Sequence, residues 1–235
     1  SNFRCLYKKR LKKHGGKYTL ALSKEYSDTM MPAGAKGTPN HAEKVMKYYS
    51  IATGDSSAEI SLLEGNSGLK VVYYNQGDAA WKSIPYSTST IGQSGCGPTS
   101  MAICISTLSG KKITPRQTCQ WAGSQGYYVK GAGSKHDVIP GLAKKYGVKC
   151  EGVGKNKPQI IQALKTGKLV VAIMSAGHFT SGGHFIVLTG IKDGKITVAD
   201  CGSRQRTKQT WSLDLIVNES NSSASAGGPF WIISK

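Results

Sequence analysis

A glycine-rich turn running straight into an apolar helix is the feature that most constrains this chain. Residues 92–108 read GQSGCGPTSMAICISTL, with Cys96 between Gly95 and Gly97 and Pro98 just behind. Glycine allows close backbone approach and conformations closed to other residues. Proline suits the first helical turn, where its missing N–H is not needed. Met101, Ala102, Cys104, Ile105 and Leu108 then recur at spacings of three and four, one apolar helical stripe, and Gly110 marks its end. The pattern predicts a buried helix carrying Cys96 on its first turn. A thiol there sits at the positive end of the helix dipole among unpaired N–H groups, and both favour the thiolate. The same N–H groups can hold an oxyanion when that sulfur attacks a carbonyl. Free cysteine is otherwise a small core hydrophobe, but a core cysteine has no need of flanking glycines.

Around this stretch the chain divides by character. Residues 69–74 (LKVVYY) read as a strand, 114–121 as a helix opened by Thr-Pro, and 123–133 as a Gly/Ser-rich loop bordering a cleft. Residues 136–146 form an amphipathic helix capped by Gly147, and 158–164 a short helix ahead of Gly167. From residue 169 the pattern changes. Segments 169–174, 184–191 and 195–200 read as strands, and Asp193-Gly194 is a hairpin turn. Residues 211–217 read as a short helix, 218–229 as a polar loop, and 230–233 as a last strand. Helices first and strands second predict an α+β fold, helices packed on an antiparallel sheet.

Residues 1–68 are expected to be a basic N-terminal extension, ending near 66–70. Arg4, Lys8, Lys9, Arg10, Lys12, Lys13 and Lys17 precede the first acid, Glu25, and 41–51 reads as a helix. A segment next to a membrane anchor has this composition. The sequence starts Ser-Asn-Phe without an initiator Met, so a targeting segment is expected upstream. Net charge is +18, from 31 basic and 13 acidic residues. Such an excess favours polyanionic surroundings, a cell wall or an anionic membrane surface. No zinc-finger spacing or aromatic RNA-binding signature is present, so no specific nucleic acid is expected as a partner. The six cysteines make no CxxC pair, and no histidine stands at metal-ligand spacing from them. Neither a metal nor a cofactor is implied.

Among the five histidines, His184 follows Gly182-Gly183 and opens an apolar strand. An imidazole at the start of a rigid buried element suits a catalytic base facing a cleft. His178, in the preceding loop, reads as a rim or surface residue. Asp200 ends the strand after the hairpin, so antiparallel pairing brings it to the same end of the sheet as His184. A carboxylate there holds the imidazole's tautomer and stabilises its charged form, the orienter of a nucleophile–base–acid array.

Four fragments together resemble one family. Asn75-Gln-Gly-Asp…Trp81, Gly95-Cys-Gly-Pro-Thr-Ser100, Gly183-His-Phe-Ile-Val-Leu-Thr-Gly190 and Ile196-Thr-Val-Ala-Asp200 look like papain-like cysteine peptidases. More narrowly, they are similar to the bacterial branch of bacteriocin-processing, double-glycine peptidases. The likeness spans roughly residues 70–235. It implies Cys96 as nucleophile, His184 as general base and acid, and Asp200 as orienting residue. Gln76 matches the family's oxyanion glutamine, and Gln93, three residues before Cys96, is the alternative. Family members often carry Pro after the aspartate, where this chain has Cys201. The expectation is a cysteine peptidase or amidohydrolase acting through a covalent acyl-enzyme on a peptide or protein, secreted or surface-attached in a bacterium. Alternatives are a cell-wall peptide hydrolase or acyl transferase, or a silent binding module on the same fold.

Overall fold

The computed structural model describes residues 69–235. The expected extension over 1–68, its helix at 41–51 and its boundary near 66–70 lie outside the described residues. In chain order the elements begin with β1 (Pro85–Tyr86), β2 (Ser89–Thr90), α1 (Ile91–Ser94), α2 (Cys96–Ser109) and α3 (Pro115–Ser124). Next come β3 (Tyr128–Val129), β4 (Gly133–Ser134), α4 (Val138–Tyr146), β5 (Lys149–Gly152) and α5 (Lys157–Lys165). The chain closes with β6 (Leu169–Met174), β7 (His184–Lys192), β8 (Lys195–Ala199), α6 (Arg204–Thr207), β9 (Thr210–Trp211), α7 (Leu213–Glu219) and β10 (Phe230–Ser234).

Local chemistry sets the helix ends. Gln117 Oε1 accepts from the Thr114 backbone N–H at 2.9 Å, half of a capping box that starts α3. Asn156 Oδ1 accepts from Gln159 N at 3.2 Å at the start of α5. Gly110 and Gly147 adopt left-handed conformations (φ 72° and 70°) and stop α2 and α4. At the β7–β8 hairpin both Asp193 and Gly194 have positive φ, 50° and 74°, as a tight two-residue turn needs.

The main sheet has six strands in the order β5-β10-β6-β7-β8-β9, and its neighbours run antiparallel. Both faces are buried, which is why β6 is apolar at every position and β7 carries the continuous apolar run 185–188 instead of alternating. On one face Leu169, Val171, Ile173, Phe185, Val187, Trp231 and Ile233 meet α2, α3 and α4. On the other, Val170, Ala172, Met174, Ile186, Leu188, Phe230 and Ile232 meet α5 and α7. Each fully buried aliphatic side chain contributes roughly 1.5–3 kcal/mol. Helix α2 lies against β7.

Several expectations change. Residues 69–74 pair with no strand: Val72 N donates to Thr107 Oγ1 at 2.9 Å, and Tyr74 OH bonds Ser106 Oγ at 3.3 Å. The segment runs along α2, held there by these two bonds. Trp211 belongs to β9, paired with Ile196, and the following helix starts at Leu213. Strand β5 is unheralded, since its KCEG sequence is polar and mostly exposed. The C-terminal strand β10 inserts between β5 and β6.

Candidate active site

Cys96 is the first residue of α2, and both neighbouring glycines are required for space, not for unusual dihedrals. Gly95 has an ordinary φ of −87°, but a Cβ there would lie 2.6 Å from the Ile91 carbonyl oxygen. A Cβ on Gly97 would meet the Phe185 ring and Val138 at 3.3 Å. The turn is thus pressed between α1 on one side and β7 and α4 on the other. Cys96 itself stays half-buried at the edge of a cleft.

His184 opens β7, opposite Met174 of β6. Its Nε2 bonds Asp200 Oδ1 at 2.8 Å, and the imidazole also hydrogen-bonds Cys96. Asp200 lies just past the end of β8 and is fully buried. Its carboxylate accepts further bonds from Gly202 N at 2.8 Å and Arg206 Nε at 2.6 Å. Tyr73 OH donates to the Asp200 carbonyl at 2.8 Å, tying the loop before residue 75 to the same corner. The sheet thus brings three groups distant in sequence into one row.

Electrostatics follow from this packing. Burial pushes the Cys96 thiol up, but the bond and charge of His184, with the backbone N–H groups of Phe185 and Gly97, bring it below the ordinary thiol value. Burial pulls His184 down, yet the bonds to Asp200 and Cys96 carry it up to about 9. Asp200 is raised by burial and lowered more by His184, Arg206 and Gly202, so it is held below the usual carboxylate range. A thiolate–imidazolium pair backed by a carboxylate is the state these shifts favour.

Gln76 and Gln93 are placed differently. The Gln76 backbone N–H donates to the Cys201 carbonyl at 2.8 Å and its Nε2 to the Gly92 carbonyl at 2.8 Å. Its Oε1 lies 3.5 Å from Cys201 Sγ, which is also 3.5 Å from the Cys96 carbonyl. One proton of the Gln76 amide is spent on Gly92 and the other is free. Gln93 is exposed and turned toward β2, where Ser89 Oγ donates to its Oε1 at 3.2 Å. The Gln76 amide is thus joined to Gly92 and Cys201, and the Gln93 amide to Ser89. Cys201 is fully buried, and burial together with the Cys96 charge pushes its thiol well up, so it remains a neutral donor.

A cleft of about 430 Å³ opens beside Cys96, walled by Val129, Ile173, Phe185, His136, Asn221 and Ser225 among others. Of residues 123–133, expected as a loop, 123–124 still belong to α3, and Val129 and Ala132 of the β3–β4 hairpin border the cleft. His178 stands apart: mostly exposed, it pairs with Glu219 through its backbone N–H and its Nδ1. Among the described residues no three His, Cys, Asp or Glu side chains converge as a metal site, and no helix is long and apolar enough to cross a membrane.

Sequence reasoning missed Arg206, Gly202 and His136. Arg206 has a signal in retrospect, since a cation in the short turn after a buried acid can fold back on it. Gly202 is needed because a Cβ there would lie 3.0 Å from His184 Cε1. Nothing in the local pattern around His136 marks it as a cleft residue.

No curated protein matches the chain. Similar solved structures include a C39-like peptidase candidate from Bacillus anthracis, 17% identical, covering 71% of this chain and 95% of its own, with a TM-score of 0.46. The peptidase domain of Streptococcus ComA, a bifunctional ABC transporter of a quorum-sensing pathway, is 13% identical, covers 60% and 91%, and has a TM-score of 0.44. A double-glycine motif protease from an AMS/PCAT transporter, solved with its leader peptide, is 17% identical, covers 71% and 91%, and has a TM-score of 0.42. The Peptidase_C39 like family matches residues 68–226, well over half of the chain. With helices packed on an antiparallel sheet in the papain-like α+β manner, this chain belongs to the Peptidase_C39-like family and is a cysteine peptidase.

Proposed function

We propose that Cys96, His184 and Asp200 are the catalytic triad of this peptidase, with Gln76 and the Cys96 N–H as its oxyanion donors. The observation that carries this reading is the 2.8 Å bond from His184 Nε2 to buried Asp200, made while the same imidazole is hydrogen-bonded to Cys96. The Cys96 thiolate adds to the scissile carbonyl carbon, forming a C–S bond and moving the carbonyl pair onto oxygen. The oxyanion is held by the Cys96 N–H and the free Gln76 amide proton. Collapse breaks the C–N bond, and the imidazolium gives its proton to the leaving amine. His184 then takes a proton from water, hydroxide attacks the thioester, and collapse returns the thiolate–imidazolium pair.

The substrate we propose is a peptide or protein, reached at the bacterial surface or outside the cell. The charge of +18 supports this, because an anionic wall or membrane surface would concentrate such a protein. The basic run before Glu25 would be its docking arm, a point that liposome and cell-wall pulldowns with and without residues 1–24 decide. For the chemistry, iodoacetamide labelling and peptide hydrolysis are compared in wild type and Cys96→Ala. Rapid labelling and hydrolysis that both vanish in the variant support the triad. Labelling that is equal in the two proteins refutes it.

A further inference from the structure

His136 takes no part in the chemistry above, yet it stands on the cleft wall beside Cys96. Its carbonyl accepts from Ile139 N at 3.2 Å at the foot of α4. Its ring rests near Phe185 and Trp231, with centroids 6.2 and 6.4 Å away. The backbone N–H of Ser225 donates to His136 Nδ1 at 3.0 Å, and Ser225 Oγ lies 3.3 Å from the same nitrogen. A backbone N–H can only donate, so Nδ1 is bare and the ring proton sits on Nε2. The loop after α7 thus fixes the tautomer and leaves one N–H donor to spare.

Asn221, on the same cleft, is prepared in the same way. Its backbone N–H donates to the Ile173 carbonyl at 2.9 Å, anchoring it to the end of β6. Its Oδ1 accepts from Ser223 N at 2.8 Å, so the amide orientation is set and the NH₂ remains to donate. Two residues, each with a donor left over, therefore line a cleft whose other walls, Val129, Ile173 and Phe185, are apolar. The rim charges Lys135 and Asp137 are of opposite sign and favour neither kind of ion. The cleft volume of about 430 Å³ falls in the ~300–1,000 Å³ range of ligand pockets. A backbone of glycines would leave those apolar walls against water.

We propose that this cleft is a side-chain subsite, with His136 and Asn221 as its specificity-determining donors. The substrate residue it takes has an apolar stem ending in a carbonyl or carboxylate oxygen. The proposal rests on the triad reading, since it assumes that a peptide is cleaved at Cys96.

The test is a scan of fluorogenic peptides carrying Gln, Glu, Leu or Gly at each position flanking the scissile bond. At one position wild type should favour Gln or Glu over Leu by about two- to tenfold in kcat/KM, the worth of one net hydrogen bond, expressed in KM. Gly should be the poorest there. His136→Phe, and separately Asn221→Ala, should bring Gln and Glu substrates down toward the Leu substrate. Gln favoured over Glu, or the reverse, identifies which oxygen is read. The proposal is overturned if glycine is best at every position, if no position discriminates, or if the preference survives in both variants. Those results leave the triad intact whenever a peptide aldehyde still forms its adduct on Cys96. Loss of that adduct in wild type overturns both.

Discussion

Arg206 Nε donates to Asp200 Oδ2 at 2.6 Å while the other oxygen of that carboxylate holds His184. The Arg206 side chain is partly buried, 28% exposed, and it lies six residues after the acid it grips. It acts on His184 through Asp200, as a positioning residue. Replacing it by Met removes a positive charge that competes with the imidazolium for the same carboxylate. His184 then keeps its proton to higher pH, so the alkaline limb of kcat moves up from about 9. Asp200, having lost a stabilising cation, also takes up its proton at higher pH. The loosened orientation lowers kcat by about tenfold, within the cost of misplacing a catalytic group. Arg206→Lys keeps the charge and should leave the limbs in place. A merely structural arginine would lower Tm and move neither limb.

The activity profile of wild type should be a bell. Its acid limb lies below the ordinary thiol range, because the folded protein favours the Cys96 thiolate. Its alkaline limb lies near pH 9, where His184 loses the proton that the leaving amine requires. Measuring kcat/KM from acid to alkaline pH checks both. An acid limb near the ordinary thiol value would mean that Cys96 is not activated.

Gly202→Ala probes how tightly the imidazole is held. The new methyl carbon would stand 3.0 Å from His184 Cε1 and 3.4 Å from Asp200 Oδ1. One or the other has to move by a few tenths of an ångström. We expect kcat to fall on the order of tenfold to a hundredfold with a small change in Tm. An unchanged kcat would show that the ring has slack.

Thiol selectivity is a separate test. Burial pushes Cys104, Cys119 and Cys201 well up, and Cys150 up to about 11, whereas Cys96 is brought down. At neutral pH iodoacetamide should therefore modify Cys96 first among the five described thiols. Peptide mapping by mass spectrometry identifies the site. Cys201, although its sulfur is 3.5 Å from the Cys96 carbonyl, should react only after denaturation.

Trp231 tests the fold independently of the chemistry. It is fully buried on β10, and its Nε1 donates to the Ala226 carbonyl at 2.7 Å. Trp231→Ala leaves a cavity against Phe185 and an unmet carbonyl, at a cost of about 3–5 kcal/mol in unfolding free energy. Denaturant titration reads the loss directly.

Local sequence determined a good deal of this protein. The glycine–cysteine–proline turn, the capped helices, the Asp193-Gly194 hairpin and the apolar runs at 169–174 and 184–191 are written in spacing and residue type, since they depend on near neighbours. The approach of His184 to Asp200 was legible for the same reason: a two-residue hairpin fixes which strand ends meet. What only the tertiary structure decided involves contacts made across the sheet. The insertion of β10 between β5 and β6 depends on pairing with two strands distant along the chain. The diversion of residues 69–74 to α2 depends on Thr107 and Ser106, more than thirty residues away. Arg206 on Asp200 and Ser225 on His136 are set by loops whose conformation follows from the packed core beneath them. Short-range pattern carries no record of such choices, because their energies come from partners distant along the chain.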